Sequence, residues 1–145
     1  MATTNQERVG QALDLLKAGL GPFVQREVKR RFSAASLGNF VDDPIVINKP
    51  IGEWDTAALL KLMWDSWNEV FRNVLGPFER GLVGEIRGHR NTWAHQRQFS
   101  SDDADRALDS IKRLLLAVSA PQATEVDKMK LELMRLRFDE QVRGE

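Results

Sequence analysis

Apolar residues recur at helical spacing from about Asn5 to Leu20, with Val9, Ala12, Leu13, Leu16 and Leu20 on one face, so the chain opens on an amphipathic helix. Gly19-Leu20-Gly21-Pro22 interrupts this pattern and predicts the helix stop. Pro22 suits the first turn of a second helix, where its missing N–H would have no partner in any case. That helix turns Val24, Val28 and Phe32 inward and crowds Arg26, Lys29, Arg30 and Arg31 together, the densest basic cluster in the chain. From Ser33 to Trp54 the periodicity dissolves into Gly38, Asn39, Asp42, Asp43-Pro44, Lys49-Pro50 and Gly52. The prediction for 33–54 is a long loop with one short extended piece at Ile45-Val46-Ile47. A loop of this length inside a compact domain is commonly a lid or a contact surface.

Asp55 or Thr56 can cap a third helix, in which Leu59, Leu60, Met63, Trp67, Val70, Phe71 and Val74 form one broad apolar stripe. Gly76-Pro77 ends it, and a fourth helix is expected from about Phe78 toward His95. Ser100 is a serine cap followed by the acids Asp102 and Asp103, which suit the positive end of a fifth helix bearing Leu108, Ile111, Leu115 and Val118. After Ala120-Pro121 a last helix starts near Thr124. It carries Val126, Met129, Leu133 and Leu136 on one face and a second stripe, Leu131, Met134, Phe138 and Val142, on another. A helix apolar on two sides needs two partners, either within its own bundle or beyond it. The pattern as a whole is all-α, a bundle of about five to six helices with a long loop between the second and the third.

Composition narrows the function classes. The 145 residues, 42% of them hydrophobic, suffice for one domain with its own core, taken as 1–145. Lysine plus arginine and aspartate plus glutamate stand at 21 each, so no overall field draws the protein to a polyanion, and any such site is a local patch. The absence of cysteine excludes a disulfide framework, thiolate metal ligation and a cysteine nucleophile. The chain has no apolar run of membrane-spanning length, and its start lacks the features of a secretory signal, so a cytoplasmic protein is expected. No Gly-rich phosphate loop, zinc-type histidine pair or nucleophile elbow occurs, and no cofactor or metal is expected.

The candidate chemistry lies in the fourth helix. At about 100° per residue, Arg87, Arg90, Asn91, Ala94 and His95 share one face, while Leu82, Ile86 and Trp93 form a core face. The polar face combines a residue type that transfers protons near neutral pH, a permanent cation able to hold a phosphoryl oxygen, and an amide able to orient both. These are the parts for cutting RNA without a metal. The ribose 2′-hydroxyl attacks the adjacent phosphorus, a base takes its proton, and a cation stabilises the charge that develops. Ala94 is small and leaves room for substrate between Arg90 and His95. Spacing alone also admits a plainer reading, in which Arg90 and Asn91 are solvated and His95 closes the helix C-terminus. His89 projects beside the core face, where a hydrogen-bonded structural role is expected. Trp93 is expected in the core, and Trp54 is expected to staple the loop to the bundle.

Arg90-Asn91-Thr92-Trp93-Ala94-His95 resembles the signature of HEPN domains, an arginine, a polar residue and, after a spacer, a histidine. The wider context, Trp67-Asn68-Glu69-Val70-Phe71, then Glu85 through Gln96, then Phe99-Ser100-Ser101-Asp102-Asp103-Ala104, is similar to the Swt-type branch of that superfamily over most of the chain. The resemblance implies a HEPN-like bundle and a homodimer in which two motifs meet across a cleft. In active members it implies metal-independent RNA cleavage leaving a cyclic phosphate. Arg90 would then hold the scissile phosphate, Asn91 orient it and His95 act as acid or base, with Arg87, Arg26, Lys29, Arg30 and Arg31 as supporting RNA contacts. Many HEPN domains are instead silent modules for RNA binding, dimerisation or docking within larger ATPases or nucleases, frequently in defence against phage. The same resemblance therefore allows 1–145 to be the N-terminal domain of a larger protein. In that setting Leu131, Met134, Phe138 and Val142 are the candidate partner interface.

Overall fold

The computed structural model describes residues 3–144, and all of its regular structure is helical. Thr4 starts the first helix, α1 (Asn5–Arg31), by accepting the Glu7 N–H on its side-chain oxygen at 3.0 Å. The expected break at Gly19-Leu20-Gly21-Pro22 does not occur, and α1 is one helix of 27 residues with Pro22 inside it. These glycines serve close approach instead. A Cβ at Gly19 would lie 2.4 Å from Leu115 and 2.9 Å from the Ala120 Cβ, and one at Gly21 would lie 2.9 Å from the Gly52 carbonyl oxygen. Leu16, Leu20 and Val24 are fully buried on either side of Pro22, and this burial offsets the hydrogen bond that the proline removes.

Segment 33–54 contains no strand, and the piece at Ile45-Val46-Ile47 is not extended. It holds two single-turn helices, α2 (Ala34–Leu37) and α3 (Pro44–Ile47), and a 3-10 turn at Ile51–Glu53. Asp43 caps α3 by accepting the Ile45 N–H at 2.9 Å, which makes Ile45-Val46-Ile47 helical rather than extended. The segment follows the first long helix rather than the second, because the two expected opening helices are one. Trp54 is its staple: the ring is buried and Nε1 donates to the Lys49 carbonyl at 3.0 Å.

Asp55 caps α4 (Thr56–Asp65), accepting the Ala58 N–H at 2.8 Å. This helix was expected to run to Val74 but stops at Asp65. Ser66 is buried and its Oγ donates to the Leu62 carbonyl at 2.6 Å, a local bond that competes with helix continuation. The chain then passes through turns and a 3-10 segment, Phe71–Asn73, which keep Trp67, Val70 and Phe71 buried while Val74 is exposed. Glu79 accepts the Gly76 N–H at 2.8 Å and starts α5 (Pro77–Ala94). Ser100 caps α6 (Ser101–Ala117), and α7 spans Ala123–Arg143.

Helix α1 touches α4, α5, α6 and α7, while α6 lies against α1, α5 and α7. The core between them is built from Leu16, Leu20, Leu59, Met63, Phe71, Ile86, Leu108, Ile111 and Leu115, all fully buried. Val126 and Leu133 of α7 face this core, with Met129 and Leu136 half-buried beside them. The second stripe of α7 is not sandwiched within the bundle; Leu131, Met134, Phe138 and Val142 are 50 to 65% exposed. No helix among the described residues is long and apolar enough to cross a membrane.

Candidate functional site

The C-terminal end of α5 is fixed by contacts with the N-terminal third of α1. The Trp93 Nε1 donates to the Gln6 carbonyl at 3.2 Å, and the Gln6 amide donates back to the Trp93 carbonyl at 2.9 Å. Gly10 makes room for the indole, since a Cβ there would lie 2.8 Å from Trp93 Nε1. Trp93 is thus half-buried between the two helices rather than deep in the core. The chain beyond is held as well. Asn5 donates its side-chain amide to the Phe99 carbonyl at 3.1 Å, and Phe99 is buried.

The helix ends in a tight cap without glycine. Gln96 takes φ 56°, its N–H bonds to the Trp93 carbonyl at 3.0 Å, and Arg97 N–H bonds to the Thr92 carbonyl at 3.1 Å. This pair of bonds is the Schellman arrangement, which usually has glycine at the left-handed position. His95 stands immediately before it as the C-cap residue, its N–H bonded to the Asn91 carbonyl at 3.0 Å. The backbone at His95 is therefore held by three closing hydrogen bonds, and its side chain is exposed.

Arg90, Asn91 and Ala94 lie on one arc of α5 leading to His95. Asn91, Ala94 and His95 are exposed, while Arg87 and Arg90 are half-buried. No ion pair among the described residues involves Arg87 or Arg90. Arg90 lines a cleft of about 170 Å³ together with Gly10, Asp14, Lys17, Asp55 and Trp93. Lys17 is a second cation at this cleft that sequence reasoning missed, because α1 supplies it from a distant part of the chain. Asp55 is already engaged as the cap of α4.

The basic cluster at the end of α1 is not brought to this site. Gly10 is the α1 residue against Trp93, and Lys29 lies nineteen residues further along the same helix, about 28 Å away at 1.5 Å per residue. Arg26 and Arg30 converge there on the buried Glu27 carboxylate, at 3.3 and 3.4 Å, and Arg26 also sits over the Phe23 ring. Lys29 and Arg31 are exposed.

A second polar constellation ties α5 to α6. The Glu85 carboxylate accepts Arg106 Nη2 at 2.8 Å and Nε at 3.1 Å, accepts the Ser110 hydroxyl, and stands 3.1 Å from His89 Nε2. Burial pushes the Glu85 carboxyl up, but the hydrogen bonds from Arg106, Ser110 and His89 outweigh it and hold the pKa down at about 2. His89 is thereby a structural histidine within the α5–α6 seam, although it immediately precedes Arg90 in the chain.

The chain belongs to the Swt1-like HEPN family, whose model matches residues 11–119. The matched span runs from α1 through α6 and contains the whole Arg90–His95 segment, while α7 lies beyond it. No curated protein and no solved structure matches the chain. Family membership connects the fold to ribonuclease-like and RNA-related functions.

Proposed function

We propose that this HEPN domain is an RNA-directed, metal-independent endoribonuclease that acts as a homodimer through Arg90, Asn91 and His95. The observation that carries this reading is an exposed histidine whose backbone caps the end of α5, preceded on the same arc by an arginine with no ion-pair partner among the described residues. In the reaction the 2′-oxygen attacks phosphorus, a base accepts the hydroxyl proton, and the bond to the 5′-oxygen breaks as an acid protonates that oxygen. Arg90 holds the non-bridging oxygens as charge builds on them, and Asn91 orients the phosphate. Two proton transfers call for two groups, and a pair of symmetry-related His95 side chains supplies a base and an acid. Ala94 keeps the gap between them open.

A second reading is favoured by Asp14 and Asp55, whose carboxylates share the Arg90 cleft and compete with a phosphate for its guanidinium. On that reading the domain is a silent module for RNA binding, dimerisation or docking. His95→Ala separates the two. The catalytic reading expects cleavage of single-stranded RNA in the presence of a chelator to fall by at least about a hundredfold, with unchanged circular dichroism and unchanged RNA affinity. Equal cleavage by the variant, or none by the wild-type protein, leaves the silent module.

A further inference from the structure

Beyond the last turn of α1 the chain folds back along that helix and leaves a cleft of about 320 Å³. Helix α1 supplies Val28, Lys29 and Phe32 to one wall, and the segment that follows supplies Leu37, Lys49 and Ile51 to the other. Both walls are anchored. The Gln25 side-chain oxygen accepts the Gly52 N–H at 2.8 Å, and the Lys49 carbonyl accepts Nε1 of the buried Trp54 at 3.0 Å. Val28 and Ile51 are buried, and Phe32 is half-buried and stacked on Phe40 with ring centroids 5.3 Å apart. The floor is therefore apolar, partly aromatic and already formed.

The charge around this floor has one sign. Lys29 and Lys49, one on each wall, are exposed and have no ion pair among the described residues. No carboxylate lines the cleft, whereas the clefts beside Arg90, along α6 and against α7 mix acids with bases. Glu27, the acid nearest to Lys29 in the chain, is buried and occupied by Arg26 and Arg30. Of the four basic residues that the sequence groups at the end of α1, only Lys29 lines the cleft, and Lys49 joins it from the loop.

An occupant must then be anionic on two sides and apolar between them. An internal nucleotide of a single strand has this form, a planar base with a phosphate before and after it. A free mononucleotide carries phosphate on one side only, and the bases of a duplex stay paired and stacked, out of reach of such a floor. A protein partner ordinarily covers about 800 Å², but Arg26, Arg30 and Asn48, which flank the lining residues in the chain, are exposed and polar, so no apolar patch extends the cleft.

We propose that this cleft holds one nucleotide of a single-stranded RNA, its base against Phe32 and the apolar floor and its flanking phosphates on Lys29 and Lys49. The subsite lies at the far end of α1 from the Arg90 motif. It rests on the RNA reading given above, though not on cleavage.

The test uses the whole 145-residue protein and a labelled single-stranded dodecamer with 2′-O-methyl sugars, which attack by the 2′-oxygen cannot cut, read by fluorescence anisotropy at several salt concentrations. Lys29→Ala combined with Lys49→Ala is expected to weaken binding about tenfold at low salt and to flatten the salt slope by about 1.4, about 0.7 for each phosphate contact on a single strand. Lys128→Ala combined with Arg135→Ala removes the same charge from exposed positions of α7 and should leave the slope unchanged. Phe32→Leu should weaken binding by about fivefold or more at an unchanged slope, because stacking releases no counterions. Circular dichroism checks that each variant keeps its helix content. Binding by the wild-type protein that the lysine pair does not alter, or that the α7 pair alters equally, overturns the subsite alone and leaves the RNA reading standing. Unchanged affinity in Phe32→Leu likewise removes the base from the floor and overturns it. No binding by the wild-type protein overturns both readings together. Displacement of the dodecamer by adenosine monophosphate at equal affinity would assign the cleft to a free nucleotide, and capture of a glutamate-rich peptide in place of RNA would assign it to an acidic protein segment; either result overturns the proposal.

Discussion

Gly19 and Gly81 illustrate how one residue type carries opposite meanings within this chain. A Cβ added to Gly19 meets Leu115 at 2.4 Å and Ala120 at 2.9 Å, whereas one added to Gly81 meets nothing within 4 Å. Alanine favours a helix interior over glycine by about 1 kcal/mol, and overpacking a tight contact costs about 1–3 kcal/mol. Gly81→Ala is therefore expected to stabilise the protein by up to about 1 kcal/mol, while Gly19→Ala destabilises it by about 1–2 kcal/mol. Urea denaturation of both variants checks the signs, and two changes in the same direction would refute the packing argument. Gln96 carries a related lesson. A non-glycine residue at φ 56° gives no warning in the sequence, so the geometry that fixes His95 could not be read in advance.

Among the elements, the α5–α6 seam has a definite pH signature. Glu85 has a folded pKa of about 2 against an ordinary value of 4.5. A depressed carboxyl pKa adds stability that is fully present above 4.5 and is lost as pH falls through about 2, because the unfolded chain takes up the proton first. Glu85→Gln should cost on the order of 1–2 kcal/mol at neutral pH, and the gap between variant and wild type should close between pH 4.5 and about 2. Denaturation across that range reads the gap, and a constant one would mean that the carboxylate is not the tie. Much at this scale was legible beforehand. Helices α5, α6 and α7, the Ser100 and Asp55 caps and the Trp54 staple all follow from local patterns of capping and burial. The errors arose where tertiary contacts overrode local signals. Gly19 and Gly21 read as a stop because their packing partners, Leu115 and Gly52, are remote in sequence. The end of α4 went unseen because Ser66 breaks the helix without disturbing the apolar period that Trp67, Val70 and Phe71 continue. Lys17 reaches the Arg90 cleft only through the docking of α1 on α5, and the same docking leaves Arg26 to Arg31 at the far end of α1.

For the whole molecule, the proposed chemistry depends on association. One chain offers one His95 at the end of α5, and the reaction needs a base and an acid. The exposed face formed by Asn91, Ala94 and His95 is where a second copy would complete the site. Light scattering over a dilution series is expected to show a dimer persisting at tens of micromolar, roughly the range of weak specific interfaces. A monomer throughout would remove the second histidine and with it the two-group mechanism.

In the proposed reaction the ribose 2′-hydroxyl is the nucleophile at a site built from Arg90 and His95. The most direct measurement is mass spectrometry of the products from an RNA oligonucleotide incubated with the wild-type protein in excess chelator, beside the same oligonucleotide carrying 2′-deoxy sugars at the cleaved positions. Fragments ending in a 2′,3′-cyclic phosphate are expected from the first, and no cleavage at the substituted positions of the second. Cleavage of the deoxy-substituted strand at the same positions, or products that lack the cyclic phosphate from the outset, would contradict it.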